Sequence, residues 1–105
     1  MSEWMPEGYP TEEALERIRT WDPADGNGLL DWIRDHCFNW PERQIWDDTD
    51  DFFDLDDPVP VRCMSTGGWS GNEDVIHAMQ QNRIWWSLYW VQSHVGGHHK
   101  FKLSG

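Results

Sequence analysis

Hydrophobic and polar positions change period along the chain, and each change marks an element. Ala14, Leu15, Ile18 and Trp21 recur at helical spacing behind Thr11, a good N-cap, with Glu12 and Glu13 in the first turn. This pattern predicts a helix over 11–21, preceded by an extended lead-in at 1–10. Asp22-Pro23 and Gly26-Asn27-Gly28 are read as breaks. Leu30, Ile33, Cys37 and Trp40 then follow i, i+3, i+7, i+10, and Leu29 and Trp32 widen the stripe. A second helix is expected there, stopped by Pro41. The short connection makes the pair a helical hairpin.

The middle of the chain is less regular. Gln44-Ile45-Trp46 reads as a short strand. Asp47 to Asp57 then holds seven Asp in eleven residues, interrupted by Phe52, Phe53 and Leu55. Asp is poor inside helices and strands, so a loop with one edge strand is expected, anchored by Phe52 or Phe53. Val59, Val61 and Cys63 alternate with Pro60, Arg62 and Met64, which marks a half-buried strand ending at Gly67-Gly68. Ser70-Gly71-Asn72-Glu73 has the spacing of a capping box. A third helix is expected behind it, with Val75, Ile76 and Met79 inward and its end near Asn82.

Ile84 to Gln92 is the most apolar run, and its β-branched and aromatic content predicts a strand. Residues 94–99 form a turn and His98 to Leu103 pairs back. The expected class is α+β: two N-terminal helices, then a mainly antiparallel sheet of three to four strands with a third helix, in the order α-α-β-β-α-β-β. With Gly96-Gly97 as a two-residue turn, Val95 faces His98, Gln92 faces Phe101 and Trp90 faces Leu103. Ile84, Trp86, Leu88, Trp90, Phe101 and Leu103 then share a core face. Trp85, Ser87, Tyr89 and Val91 share the other with His98, Lys100 and Lys102.

Composition sharpens this picture. The 105 residues suit one domain spanning 1–105. Nine Trp are hard to hide completely, so some are expected at the surface. No run of about 20 apolar residues is present, and the N-terminus lacks a basic region followed by an apolar stretch. A membrane partner is therefore not expected. Two Cys, Cys37 and Cys63, are too few for a disulfide scaffold, and a cytoplasmic location is expected, although one Cys37–Cys63 bridge stays open. The net charge of −11 is uneven. Residues 1–60 carry 17 acids and 4 bases, whereas residues 61–105 carry 2 acids, 4 bases and four of the five His. Such asymmetry suits a basic partner, or solubility alone.

Candidate chemistry follows from these segments. Asp47, Asp48, Asp50, Asp51, Asp54, Asp56 and Asp57 resemble phosphates spaced along a nucleic-acid backbone and are the expected partner-binding residues. The block lacks the Gly and Glu of a calcium loop. The aromatic–basic hairpin face, Trp85, Tyr89, His98, Lys100 and Lys102, is the alternative site, for nucleic acid or peptide. Gly67, Gly68, Trp69, Ser70, Gly71 and Glu73 read as a structural turn and cap. The link lacks the Lys of a phosphate loop and the second Gly of a nucleophile elbow. A small ligand-binding protein or enzyme using this turn would need a pocket around Trp69 and Ser70. His94, His98 and His99 have no Cys or acid nearby in sequence, so no metal is expected, and no cofactor is implied.

The stretch Ser65-Thr66-Gly67-Gly68-Trp69-Ser70-Gly71-Asn72-Glu73, with Trp85-Trp86, Trp90 and Gly96-Gly97-His98, resembles a group of small proteins encoded by phages and prophages. The resemblance covers about residues 61–103 and carries no catalytic residue. It implies a place among small acidic phage proteins, some of which inhibit host defence, anti-CRISPR and anti-restriction proteins among them. The expected function is therefore a non-enzymatic inhibitor that binds a basic host protein, such as a defence nuclease complex, by nucleic-acid mimicry in the host cytoplasm. Direct nucleic-acid binding is not expected of it, and a homodimer remains open.

Overall fold

The computed structural model describes residues 4–6, 8–50 and 59–103. Its elements are α1 (Glu12–Arg19), α2 (Gly26–His36), α3 (Pro41–Gln44), β1 (Ile45–Asp50), β2 (Val59–Ser65), α4 (Ser70–Gln81), α5 (Arg83–Tyr89), β3 (Trp90–His94) and β4 (His98–Lys102). The fold is α+β, with one antiparallel four-stranded sheet in the order β1-β2-β4-β3. Asp51, Asp54, Asp56, Asp57 and the expected Phe52 or Phe53 anchor lie outside the described residues.

Thr11 caps α1 as expected, its Oγ1 accepting from the Ala14 N–H at 3.1 Å. The glycines read as a break instead open α2. Asp25 is the N-cap and accepts from the Gly28 N–H at 3.0 Å, so Gly26-Asn27-Gly28 forms the first turn. Gly26 is required there because a Cβ would come within 2.5 Å of the Tyr89 ring. Helix α2 ends at His36, before Trp40. The capping box is absent: Trp69 is the N-cap of α4, no side chain caps it, and Ser70 is already helical.

The largest departure is at 84–92, which is helix α5 followed by β3 rather than one strand. Trp85 and Tyr89 pack at i, i+4, with ring centroids 5.0 Å apart, and Trp86 stacks on Trp90 at 5.9 Å. The Trp85 indole is fully buried against Phe101, and its Nε1–H donates to the Asp25 carbonyl at 3.3 Å. Tertiary burial at period 3.6 overrides β propensity. Ile84 and Leu88, expected in the core, are exposed.

The hairpin turn also differs. Three residues, Val95-Gly96-Gly97, connect the strands, so His94 pairs with His98, Gln92 with Lys100 and Trp90 with Phe101 across an irregularity. One extra turn residue shifts every facing pair.

The main core lies between the helices and one sheet face. Ile18, Leu29, Leu30, Ile33, Val75, Met79 and Trp85 meet Ile45, Met64 and Phe101 there. The opposite face carries a small buried cluster, Val61, Cys63 and Val91. Cys37 and Cys63 form no disulfide and are buried in these two separate clusters.

Candidate functional site

The carboxylates are organised by one buried arginine. Arg62 projects from β2 on the helix side of the sheet, and only 7% of its side chain is exposed. Its Nε and Nη2 donate to the two oxygens of Asp47 on β1, at 2.7 and 3.2 Å. Its Nη1 donates to Asp31 of α2 at 2.5 Å. Arg34 continues the chain, bonding Asp35 at 3.0 Å and approaching Asp31 at 3.5 Å. The result is an ordered string, Asp35–Arg34–Asp31–Arg62–Asp47, crossing from α2 to the sheet. Arg62 lies beneath, whereas Arg34 is partly exposed, and Asp31 and Asp47 keep about half their side-chain surface, 49% and 57%. The Arg62 hydrogen bonds hold the Asp47 carboxyl below its ordinary pKa, against a smaller desolvation effect. Arg34 likewise lowers Asp35. Asp31 was not singled out by sequence, because its role depends on α2 crossing Arg62.

Asp48 goes elsewhere. It pairs with Val61, so strand alternation turns it to the far sheet face, where it accepts from the Thr49 N–H at 2.8 Å. Asp50 ends β1. The aspartate run thus splits between two faces within the strand.

The hairpin face read from sequence is not assembled. Trp85 is buried among the helices and Tyr89 packs on it, on the core side. His98, Lys100 and Lys102 alternate onto the far face, opposite Phe101. Their neighbour there is Trp46, whose ring lies 5.2 Å from that of His98. Burial beside His94 and Lys100 pushes the His98 pKa down.

The Gly-rich link builds an aromatic corner. Gly67 and Gly68 take φ of +63° and +76°, so the turn reading holds for them. Gly71 lets Trp69 fold back, since a Cβ there would lie 2.8 Å from the indole Nε1. That Nε1–H donates to the Gly8 carbonyl at 3.1 Å. Tyr9 stacks on Trp69 with centroids 5.3 Å apart, and Trp40 meets Trp69 edge-on at 5.9 Å. The fully buried Asn72 ties the three segments together. It accepts from the Asn39 N–H at 2.8 Å and donates to the Thr66 carbonyl at 3.2 Å, while the Asn39 side chain donates to Gly8. Trp40 has φ +51° and ψ +51°, and it precedes Pro41. Left-handed backbone at a bulky residue costs on the order of 1–3 kcal/mol, and a following proline disfavours helical backbone further.

A cleft of about 330 Å³ lies on the other side of α4, lined by Ser70, Glu73, Asp74, His77 and Thr66 together with His99 of β4. Trp69 does not line it. Among the described residues no hydrogen bond joins Ser70 to His77, and no group of three or more His, Cys, Asp or Glu is placed to hold a metal ion. Ser93 and His99 form a contact that sequence spacing did not reveal: Ser93 Oγ lies 2.7 Å from His99 Nδ1 and accepts from the Trp90 Nε1–H at 2.8 Å. Burial lowers the His99 pKa, favouring the neutral imidazole. Among the described residues no helix is long and apolar enough to cross a membrane. Compared with protein-family models, curated proteins and solved structures, the chain gives no significant match.

Proposed function

We propose that this chain is a non-catalytic acidic binding domain whose partner is a basic, nucleic-acid-binding protein, as an anti-defence inhibitor would require. The observation that carries the reading is the Arg62-centred string. It supports exposed carboxylates on a helix and a strand, with the buried Arg62 guanidinium holding Asp31 and Asp47 from beneath. Carboxylates already held in place lose little side-chain freedom on binding, and complementary charge speeds and orients the encounter. The remaining aspartates of 47–57 belong to the same acidic half of the sequence.

The test compares the intact protein with Asp31→Asn/Asp35→Asn/Asp47→Asn, at a temperature where circular dichroism shows both folded, in capture from lysate eluted by a salt gradient. Nucleic-acid-binding proteins retained by the first, released by moderate salt and absent from the second would support the reading. Recovery of nucleic acid itself, or equal retention by both proteins, would overturn it.

A further inference from the structure

We infer that the Tyr9–Trp40–Trp69 corner is an anchor for an arginine side chain of the basic partner. This inference rests on the basic-partner reading above and adds the site that would give it arginine specificity.

The chain already shows how it treats such a group. Arg17 lies over three indole rings, those of Trp4, Trp21 and Trp32, at 5.6, 5.3 and 5.2 Å from their centroids. A guanidinium is attracted to the electron-rich face of an aromatic ring and, being flat, stacks on it. The second corner has similar parts. Trp40 and Trp69 meet at 67°, and Tyr9 stacks on Trp69. Here Trp40 and Tyr9 are 56% and 47% exposed. Among the described residues no cation lies over these rings.

Two further observations make the corner more than surplus aromatic surface. It is rigid, because Asn72, Asn39 and Gly8 lock its three segments together beneath the rings. Trp40 is also held outward by a backbone conformation that suits glycine, not tryptophan. The occupant is set by charge. Tyr9 and Trp40 belong to the half with 17 acids and 4 bases, and Glu42 lines a hollow beside Trp40. Arg43 lines the same hollow, so it opposes an incoming cation without stacking on Trp40.

The experiment uses the full chain and nona-arginine as probe, with nona-lysine for comparison. Binding is followed through the indole N–H signals in nitrogen-15 NMR spectra. Trp40→Ala should weaken nona-arginine by about 3- to 10-fold, the size of a partly exposed cation–π contact. Trp40→Phe should retain most of the affinity, and nona-lysine should lose less than nona-arginine. Arg43→Ala should strengthen both. Trp40→Gly separates binding from structure: it should match or exceed the wild-type unfolding midpoint while binding as weakly as Trp40→Ala. Unchanged nona-arginine affinity in Trp40→Ala, with loss in Asp31→Asn/Asp35→Asn/Asp47→Asn, would overturn the anchor and leave the basic-partner reading standing. Failure of the wild type to bind nona-arginine at all would overturn both.

Discussion

Removing Arg62 should be less damaging than removing the acids that it holds. Three hydrogen bonds, at 2.5, 2.7 and 3.2 Å, join it to Asp31 and Asp47. Charged hydrogen bonds contribute about 1.5–3 kcal/mol each when shielded, and far less when water competes. In Arg62→Met the stem is replaced by a side chain of similar volume. The two carboxylates left behind are about half exposed and can hydrate. The expected loss is therefore about 1–2 kcal/mol, a fall in melting temperature of roughly 5–10 °C for a domain of this size. Asp31→Ala/Asp47→Ala does the reverse. It strands a guanidinium with 7% of its side chain exposed, and an unpaired buried charge costs about 3–5 kcal/mol. Urea unfolding at pH 7, followed by circular dichroism and tryptophan fluorescence, reads both. Arg62→Met less stable than the double alanine variant would refute the reasoning. It would mean that the hydrogen bonds of the guanidinium stabilise the fold by more than its unpaired burial costs.

Acidity should act through the same string. The folded pKa of Asp47 lies below its ordinary value of 3.8. Its stabilisation is therefore complete above the unfolded value and is lost as pH falls through the folded one. Urea midpoints measured from pH 6 down to pH 3 should drop below about pH 4, and Arg62→Met should flatten that drop. Burial pushes the Cys37 thiol up to about 12, and Cys63 is also buried, so a thiol reagent at pH 8 should react with neither until urea unfolds the chain. Gly97→Ala should cost clearly more than Gly96→Ala in thermal melts. Both take positive φ, but a Cβ at Gly97 would sit 2.2 Å from Thr66 Oγ1, whereas Gly96 faces open space. Roughly 3 against 1 kcal/mol is expected, and equal costs would show that the turn relaxes.

Local rules were enough where the chain's partners are its near neighbours. The Thr11 cap, the Ala14–Ile18 stripe and the inward face of α4 at Val75, Ile76 and Met79 all appear as expected, and β2 is a strand where expected, although burial of Val61, Arg62, Cys63 and Met64 on both faces replaces its half-buried alternation. Each depends on spacing within a few residues, and the periods of 3.6 and 2 are properties of the backbone itself. The uneven charge was equally plain from composition.

Tertiary structure decided the rest. Gly26 opens a helix because Asp25 caps it and Tyr89 leaves no room for a Cβ. Residues 83–89 coil because Trp85 finds a buried place at helical spacing, beside Phe101 and the Asp25 carbonyl. The candidate site depends on distance in the chain above all. Arg62 lies 15 residues from Asp47 and 31 from Asp31, and Asn39 lies 31 from Gly8 and 33 from Asn72. No local period encodes such meetings. Residue types could show only that the chain had acids and aromatics to spare; the crossing of α2 over the sheet and the fold-back at Gly71 determined which of them face one another.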